Sequence, residues 1–316
     1  MVPTYRRPDM LVGCLRALSA QTLPPLEVFV CYRDGDGQTE RALLSLGEKE
    51  LSLVHRMVLG SSDNFAAGLR AGIAASSGDL VALTDDDSEA PPDWLERITG
   101  YFRDASVAGV GGRDVLPSET VLAEVVGRIQ WFGRRIGNHH AGVGGMRDVD
   151  FLKGVNCCFR GDLLREIGVD RRLKGSGTVI HTELSICLPM RRSGWRLIYD
   201  PQLSVTHHIA QRQDGDNNHR GEFNTSGFGD TTHNETLMVL EHLSPLGRIA
   251  FACWSFLIGT AFTPGLLHCL RSVATGGEPA TQAVRRWWAT RSGRFAGLRT
   301  YLLLPRPTQL VAKRRP

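Results

Sequence analysis

The chain has 316 residues, 42% of them hydrophobic and 22% charged, with a formal net charge of +4. That balance excludes a disordered chain and a polytopic membrane protein, and the length suffices for one large domain or two. Nine basic and no acidic residues fall in 285–316, leaving 28 basic against 33 acidic in the other 284, so no nucleic-acid partner is expected.

Met1 is followed at once by Val-Pro-Thr-Tyr-Arg-Arg-Pro, which predicts no signal peptide. Seven cysteines, at 14, 31, 157, 158, 187, 253 and 269, form no Cys-x-x-Cys pair and read as reduced, buried, cytosolic thiols. Leu11, Cys14, Leu15 and Leu18 recur at helical spacing and predict a helix over 8–20. Residues 26–32 are a short apolar, β-branched run and predict a buried strand. A Leu- and Ala-rich helix follows at 64–76, then a second buried strand at 79–84 that ends in Asp85-Asp86-Asp87. Pro91-Pro92 open a helix over 93–102. Strands alternating with helices predict an α/β fold with a mostly parallel sheet flanked by helices. In such a sheet the site lies beyond the carboxyl ends of the strands.

Further along, strands are predicted at 107–113, 149–159, 195–199 and 203–208, and helices at 161–167 and 183–193. Residues 214–232 are polar and Gly/Asn-rich, which predicts a mobile loop. Arg212, Asn217, Asn218, His219 and Arg220 lie on or beside it, as donors that close over a ligand. Residues 249–270 contain no Asp, Glu, Lys or Arg. As one helix they would extend ~33 Å, enough for a ~30 Å hydrocarbon core. Pro264-Gly265 and His268 count against a clean span and leave an in-plane or buried helix open.

Three adjacent carboxylates at a strand end repel one another and call for a cation or hydrogen-bond donors. On an extended chain Asp85 and Asp87 share a face and Asp86 points away. Hard oxygen ligands so placed suit Mg2+ or Mn2+ bound with a diphosphate. The alternative is a solvated acidic turn capping the next helix. An EF-hand reading is poor, because Ala90 stands where that loop needs glycine.

Pro3-Thr4-Tyr5-Arg6-Arg7-Pro8 resembles the opening motif of family 2 glycosyltransferases. Gly68 to Gly72, followed by Gly78-Asp79-Leu80-Val81-Ala82-Leu83-Thr84-Asp85-Asp86-Asp87, is similar to their core segment, and Pro91-Pro92-Asp93-Trp94-Leu95 follows as it does there. Gly154-Val155-Asn156 with Phe159-Arg160, then Arg191-Arg192-Ser193-Gly194-Trp195-Arg196-Leu197-Ile198-Tyr199, then Val205-Thr206-His207, resemble the family's later motifs in the same order. Five motifs in sequence over roughly two-thirds of the chain are specific where each alone is weak.

The resemblance implies a GT-A fold and an inverting enzyme that moves a sugar from a nucleotide-diphosphate sugar to a hydroxyl of a lipid-linked or polysaccharide glycan. It assigns Pro3, Thr4, Tyr5, Arg7, Asp85 and Asp86 to the donor, Asp87 and His207 to a Mg2+ or Mn2+ ion, and Gly154, Asn156 and Trp195 to the acceptor side. The family's base-reading aspartate pair is missing after 26–32, where Asp34 or Asp36 substitutes, or Arg33 makes a charge contact instead. Counting back from Gly194, the family's Glu-Asp pair falls on Thr182-Glu183, which makes Glu183 the catalytic base. These departures leave one alternative, a non-catalytic nucleotide-sugar-binding module of the same fold. A sugar nucleotidyltransferase would need a glycine-rich phosphate loop near the first strand, and residues 1–8 contain no glycine. A zinc deaminase, suggested by His181-Thr182-Glu183, would need a Pro-Cys-x-x-Cys that is absent.

Three regions are expected: a donor-binding half over 1–112, an acceptor-binding half over 113–243, and a helical basic tail over 244–316. The tail is expected to bind the anionic cytoplasmic face of a membrane, with Trp254, Trp287, Trp288 and Tyr301 at the interface. Only Met1-Val2 precede Pro3, where family members enter through a longer buried strand. An upstream start codon, or a weakened first strand, is the corresponding expectation.

Overall fold

A computed structural model of the chain describes residues 1–116, 121–211, 213 and 223–306. Its first part alternates strand and helix: β1 (Val2–Pro3), α1 (Pro8–Ser19), β2 (Val28–Arg33), α2 (Gly37–Leu44), α3 (Glu48–Leu51), β3 (Val54–Leu59), α4 (Phe65–Ala75) and β4 (Leu80–Leu83). Pro8 opens α1 at a position whose N–H would have no helical partner, and Leu11, Cys14, Leu15 and Leu18 form its buried face. Asn64 caps α4, its side-chain oxygen accepting the Ala67 N–H at 3.0 Å.

Strands β1, β2 and β3 pair in parallel in that order. Met1 ties this sheet to β4: its amino group donates to the Ala82 carbonyl at 2.8 Å, and its own carbonyl accepts the Thr84 N–H at 3.2 Å. An apolar cleft of about 190 Å3 lies between the starts of β2 and β4, lined by Leu26, Val28, Leu80 and Ala82.

The chain continues through β5 (Ser88–Glu89), α5 (Trp94–Tyr101), β6 (Val107–Val115), β7 (Arg128–Ile129), β8 (Arg135–Ile136), β9 (Arg147–Asp148), β10 (Cys157–Arg160), α6 (Gly161–Ile167), α7 (Thr182–Arg192) and β11 (Arg196–His207). The second sheet has the order β4-β10-β6-β11-β5, with β9 beside β11. The α/β class stands, but the sheet is mixed where a mostly parallel one was expected. β10 runs antiparallel to both β4 and β6, and β5 and β9 run antiparallel to β11, so β6–β11 is the parallel pair here. The cause is local: β10 is entered through a single 3-10 turn, Gly154–Asn156, rather than through a helical crossover. The same turn breaks the strand predicted over 149–159. Conversely, the strands predicted at 195–199 and 203–208 are one strand, β11, with an irregularity between Asp200 and Ser204 that accommodates Pro201.

Helices cover both faces. Leu69, Ile73, Phe151, Leu184, Ile186 and Leu197 belong to one buried cluster, and Leu11, Leu15, Trp94, Ile98, Val110 and Ile198 to the other. Six cysteines are buried, Cys253 is exposed, and all seven are free thiols.

Four more helices follow among the described residues: α8 (Thr225–His242), α9 (Pro245–Leu257), α10 (Leu266–Thr275) and α11 (Ala280–Leu303). The loop predicted over 214–232 is therefore helical from Thr225, where the Asn224 side chain accepts the Ser226 N–H at 3.0 Å. Arg212, Asn217, Asn218, His219 and Arg220 lie outside the described residues. The uncharged stretch 249–270 is not one helix. Gly259, at a φ of +68°, and Pro264-Gly265 turn the chain between α9 and α10. No helix among the described residues is long and apolar enough to cross a membrane, which corrects the spanning reading. Against α8, α11 crosses closely because Gly293 and Gly297 face it: a Cβ at Gly297 would stand 2.7 Å from the His233 carbonyl oxygen. Between these glycines Arg294 is buried and pairs with Glu235 of α8 at 2.9 Å.

Candidate functional site

The ends of β1, β2 and β4 converge at one edge of the sheet, and the loops that follow them wall a cleft of about 120 Å3. Pro3, Thr4, Tyr5, Arg7, Asp85 and Asp87 all line it. The Arg33 guanidinium lies 4.7 Å from the centre of the Tyr5 ring and donates to the Ser176 carbonyl, on the loop before α7, at 2.9 Å.

Asp85, Asp87 and His207 bring their ligand atoms within 4.8 Å of one another. Two carboxylates and one imidazole, aimed at a common point, fit a divalent cation, and the carboxylate majority suits Mg2+ or Mn2+. The shared face predicted for Asp85 and Asp87 is therefore present. Asp87 accepts from Arg7 Nη1 at 2.8 Å and from the Ala210 N–H at 3.0 Å, and lies 3.3 Å from His207 Nε2. Burial works to raise its pKa, but His207 and Arg7 outweigh that and hold the carboxyl well below the usual range.

Asp86 points away, but into the protein. It is fully buried, accepts the Thr4 hydroxyl at 2.6 Å and pairs with Arg7, so it anchors the loop of residues 4–7 rather than touching the donor. Asp36 is corrected in the same way. It is 1% exposed, and its two oxygens accept the Thr39 N–H at 3.1 Å and the Arg6 N–H at 2.7 Å, which makes it the N-cap of α2. Asp34 is exposed and outside the cleft, whose charged lining here is Arg33 and Asp63. Asp63, on the loop after β3, was missed from sequence. So was Asp114, which is fully buried at the end of β6, one residue past the predicted strand. Its Oδ2 lies 3.3 Å from His207 Nδ1 and also pairs with Lys153 Nζ. Burial opposes a charge on His207, yet Asp114 and Asp87 push its pKa up to about 9, so a cation would bind there by displacing the Nε2 proton. A carboxylate behind a histidine ligand fixes its ring orientation and tautomer.

A second cavity, of about 150 Å3, shares Pro3, Phe65, Asp85 and Thr178 with the first. Its walls include Leu69, Val155, Val179 and Ile186, and Glu183 and Lys153 are charged points in them. Glu183 is the second residue of α7. Burial raises its pKa above the ordinary carboxylate value, against its own backbone N–H and the charges of Arg135 and Lys153. The loop leading to it is held from α8: Asn234 donates to the carbonyls of Lys174 and Ile180, at 2.8 and 3.0 Å.

Of the three acceptor-side residues, Gly154 lines this cavity. Asn156 does not. It is 1% exposed, accepts Trp94 Nε1 at 2.9 Å and donates to the carbonyls of Arg113 and Leu203, which makes it a core clamp. Trp195 also lies elsewhere, immediately before β11 and so at the opposite end of that strand from His207, packed on the core.

Residues 1–218 match the family described as "Glycosyltransferase like family 2". The chain is 25% identical over 223 residues to the glucosyl-dolichyl phosphate glucuronosyltransferase of Haloferax volcanii, covering 67% of this chain and 69% of that one. Two solved structures share the GT-A fold. One is the mannosyltransferase PcManGT from Pyrobaculum calidifontis in complex with GDP-Man and Mn2+, with a TM-score of 0.52 and 18% identity over 96% of this chain and 86% of that one. The other is TarS of S. aureus with UDP-GlcNAc, with a TM-score of 0.59 and 15% identity over 95% and 88%.

Proposed function

The chain belongs to the glycosyltransferase-like family 2 and is a glycosyltransferase, and from that premise we propose an inverting enzyme that uses a nucleoside-diphosphate sugar and glycosylates a hydroxyl of a lipid-linked or polysaccharide glycan. One observation carries the reading. Asp85 stands in the wall shared by two cavities, with the cation cluster in the first and a carboxyl of raised pKa in the second.

In the first cavity the Arg33 guanidinium, stacked on Tyr5, suits a nucleobase or a phosphate, while Arg7, paired with Asp86 and Asp87, holds the cation-binding loop in place. Asp85, Asp87 and His207 would hold the cation, which when bound neutralises charge on the leaving diphosphate. PcManGT, solved in complex with GDP-Man and Mn2+, supports this choice of donor and ion. In the second cavity Glu183 takes the proton of the acceptor hydroxyl, a role that its raised pKa favours. The sugar ring then lies beside Asp85, with leaving group and attacking oxygen on opposite faces, so the anomeric configuration inverts. The Haloferax relative is named for a lipid-phosphate acceptor, and the apolar walls with Lys153 suit a glycan of that kind. A non-catalytic binding module is not favoured, since it has no use for Glu183 in that wall.

The test uses purified chain, Mn2+, UDP- and GDP-sugars, and polyprenyl-phosphate-linked or oligosaccharide acceptors, reading nucleotide release and the anomeric signal of the product. Release that needs Mn2+, with an inverted linkage, is expected. A retained linkage, or bound donor that never turns over with any acceptor, overturns the proposal.

A further inference from the structure

The outer layer of the C-terminal helices is built inside out. α9 turns Phe251 and Ser255 inward onto α8, yet Leu246, Ile249, Cys253 and Leu257 occupy its outer face at helical spacing. Leu246 is 70% exposed and Ile249 65%. The apolar surface continues into a groove of about 390 Å3 between Trp131, Trp254 and Leu267. On α11, Val284, Trp288, Phe295 and Leu302 form a second exposed stripe, joined to α9 by the Phe256–Phe295 ring contact at 5.0 Å. Isolated exposed apolar residues need no explanation, but a contiguous set on three helices marks a surface that is covered in use.

Charge identifies what covers it. Residues 245–306 contain eight arginines and one acidic residue, Glu278. Arg286 pairs with Glu278 and Arg294 with Glu235, whereas Arg271, Arg285, Arg291 and Arg299 are exposed with no acidic partner among the described residues. Arg291 sits in the stripe itself, 5.6 Å from the ring centres of Trp287, Trp288 and Phe295. A second copy of the chain would bring arginine against arginine across a twofold interface, with almost no carboxylate to offset it. A bilayer with anionic headgroups accepts both halves of the surface, taking the apolar stripes into the acyl boundary and the arginines onto phosphate. At 13 residues α9 is ~20 Å long, too short for a ~30 Å hydrocarbon core, so it lies in the plane.

We propose that the outer face of α9, α10 and α11 docks the enzyme in the plane of an anionic lipid bilayer. This goes beyond the proposed reaction and does not depend on it. The test is flotation of the full chain with phosphatidylcholine vesicles, with and without phosphatidylglycerol, in the absence of substrates. Binding to the anionic vesicles, weakened by salt, is expected. Leu246→Glu with Ile249→Glu should lower partitioning by roughly tenfold or more, since each loses a buried apolar side chain. Arg291→Gln and Arg299→Gln should each lower it roughly fivefold on anionic vesicles alone. All four positions are exposed, and an unchanged melting temperature verifies folding of each variant. Failure of the wild-type chain to float, or variants that float as well as it does, overturns the proposal. A dimer in light scattering that the double variant dissolves, without vesicle binding, assigns the face to a second copy instead.

Discussion

Tyr5, Arg7, Arg33, Asp63, Asp85 and Asp87 wall the first cleft, proposed for the donor, whereas Phe65, Leu69, Val155, Val179 and Ile186 wall the second cavity next to it, proposed for the acceptor, with Glu183, Lys153 and the shared Asp85 as its charged points. The contrast follows from what each must do. A diphosphate needs a dense field of fixed charge, while a carboxylate that serves as base at neutral pH needs an apolar surround to raise its proton affinity. The donor side is also redundant. Thr4, Asp86, Arg7, Asp87, His207, Asp114 and Lys153 form one chain of contacts in which every charge has a partner. In the second cavity Glu183 is the carboxylate that does not belong to the cation cluster.

The sharpest break of this contrast is Glu183→Gln. Loss of a general base lowers turnover by about 10²–10⁴-fold, and donor affinity should stay near the wild-type value. The wild-type rate should rise with pH as Glu183 ionises. Because burial raises its pKa, that acid limb should lie above the ordinary glutamate value of about 4.3. A kcat–pH profile checks this, and an acid limb that survives in Glu183→Gln would assign the proton to another group.

A smaller effect is expected behind the cation cluster. Asp114→Asn removes the carboxylate that orients His207, which should weaken Mn2+ binding about 10–100-fold, read by calorimetric titration without substrates. At saturating Mn2+ most of the turnover should return, since Glu183 is untouched. Unchanged Mn2+ affinity would mean that His207 needs no support from β6.

How legible these regions were differs for a physical reason. Asp85 and Asp87 could be read from local pattern, because alternation along a strand end puts them on one face, and Tyr5 and Arg7 from the resemblance of residues 3–8 to a family motif. Asp63 and Asp114 could not, because the pairing of β3 with β2 and of β6 with β11 brings them to the site. Asp36, Asp86 and Asn156 show the converse. A polar side chain at a strand end looks the same in sequence whether it meets a ligand or a backbone N–H, and burial distinguishes the two. The stretch 249–270 was ambiguous because uniform apolarity suits a buried, a spanning or an in-plane helix alike. The left-handed turn at Gly259 decides against the span.

The mildest test concerns Asp36, placed on the donor by sequence and on α2 by structure. Its two oxygens each accept a backbone N–H, from Thr39 and from Arg6, and Arg6 holds a φ of +53° beside the donor loop. Asp36→Ala removes a helix cap and leaves the Arg6 N–H without its acceptor, at a cost of about 1–2 kcal/mol. The melting temperature should fall by a few degrees. Asp36→Ser can still accept from Thr39 but is too short for Arg6, so it should recover part of the loss. Asn has one acceptor oxygen for two donors and should fall between wild type and Ala. The relative affinity for UDP and GDP should be the same in all four proteins, because no oxygen of Asp36 reaches the cleft. A changed nucleotide ratio at unchanged melting temperature would return Asp36 to the donor and remove the contrast between cap and ligand on which this assignment stands.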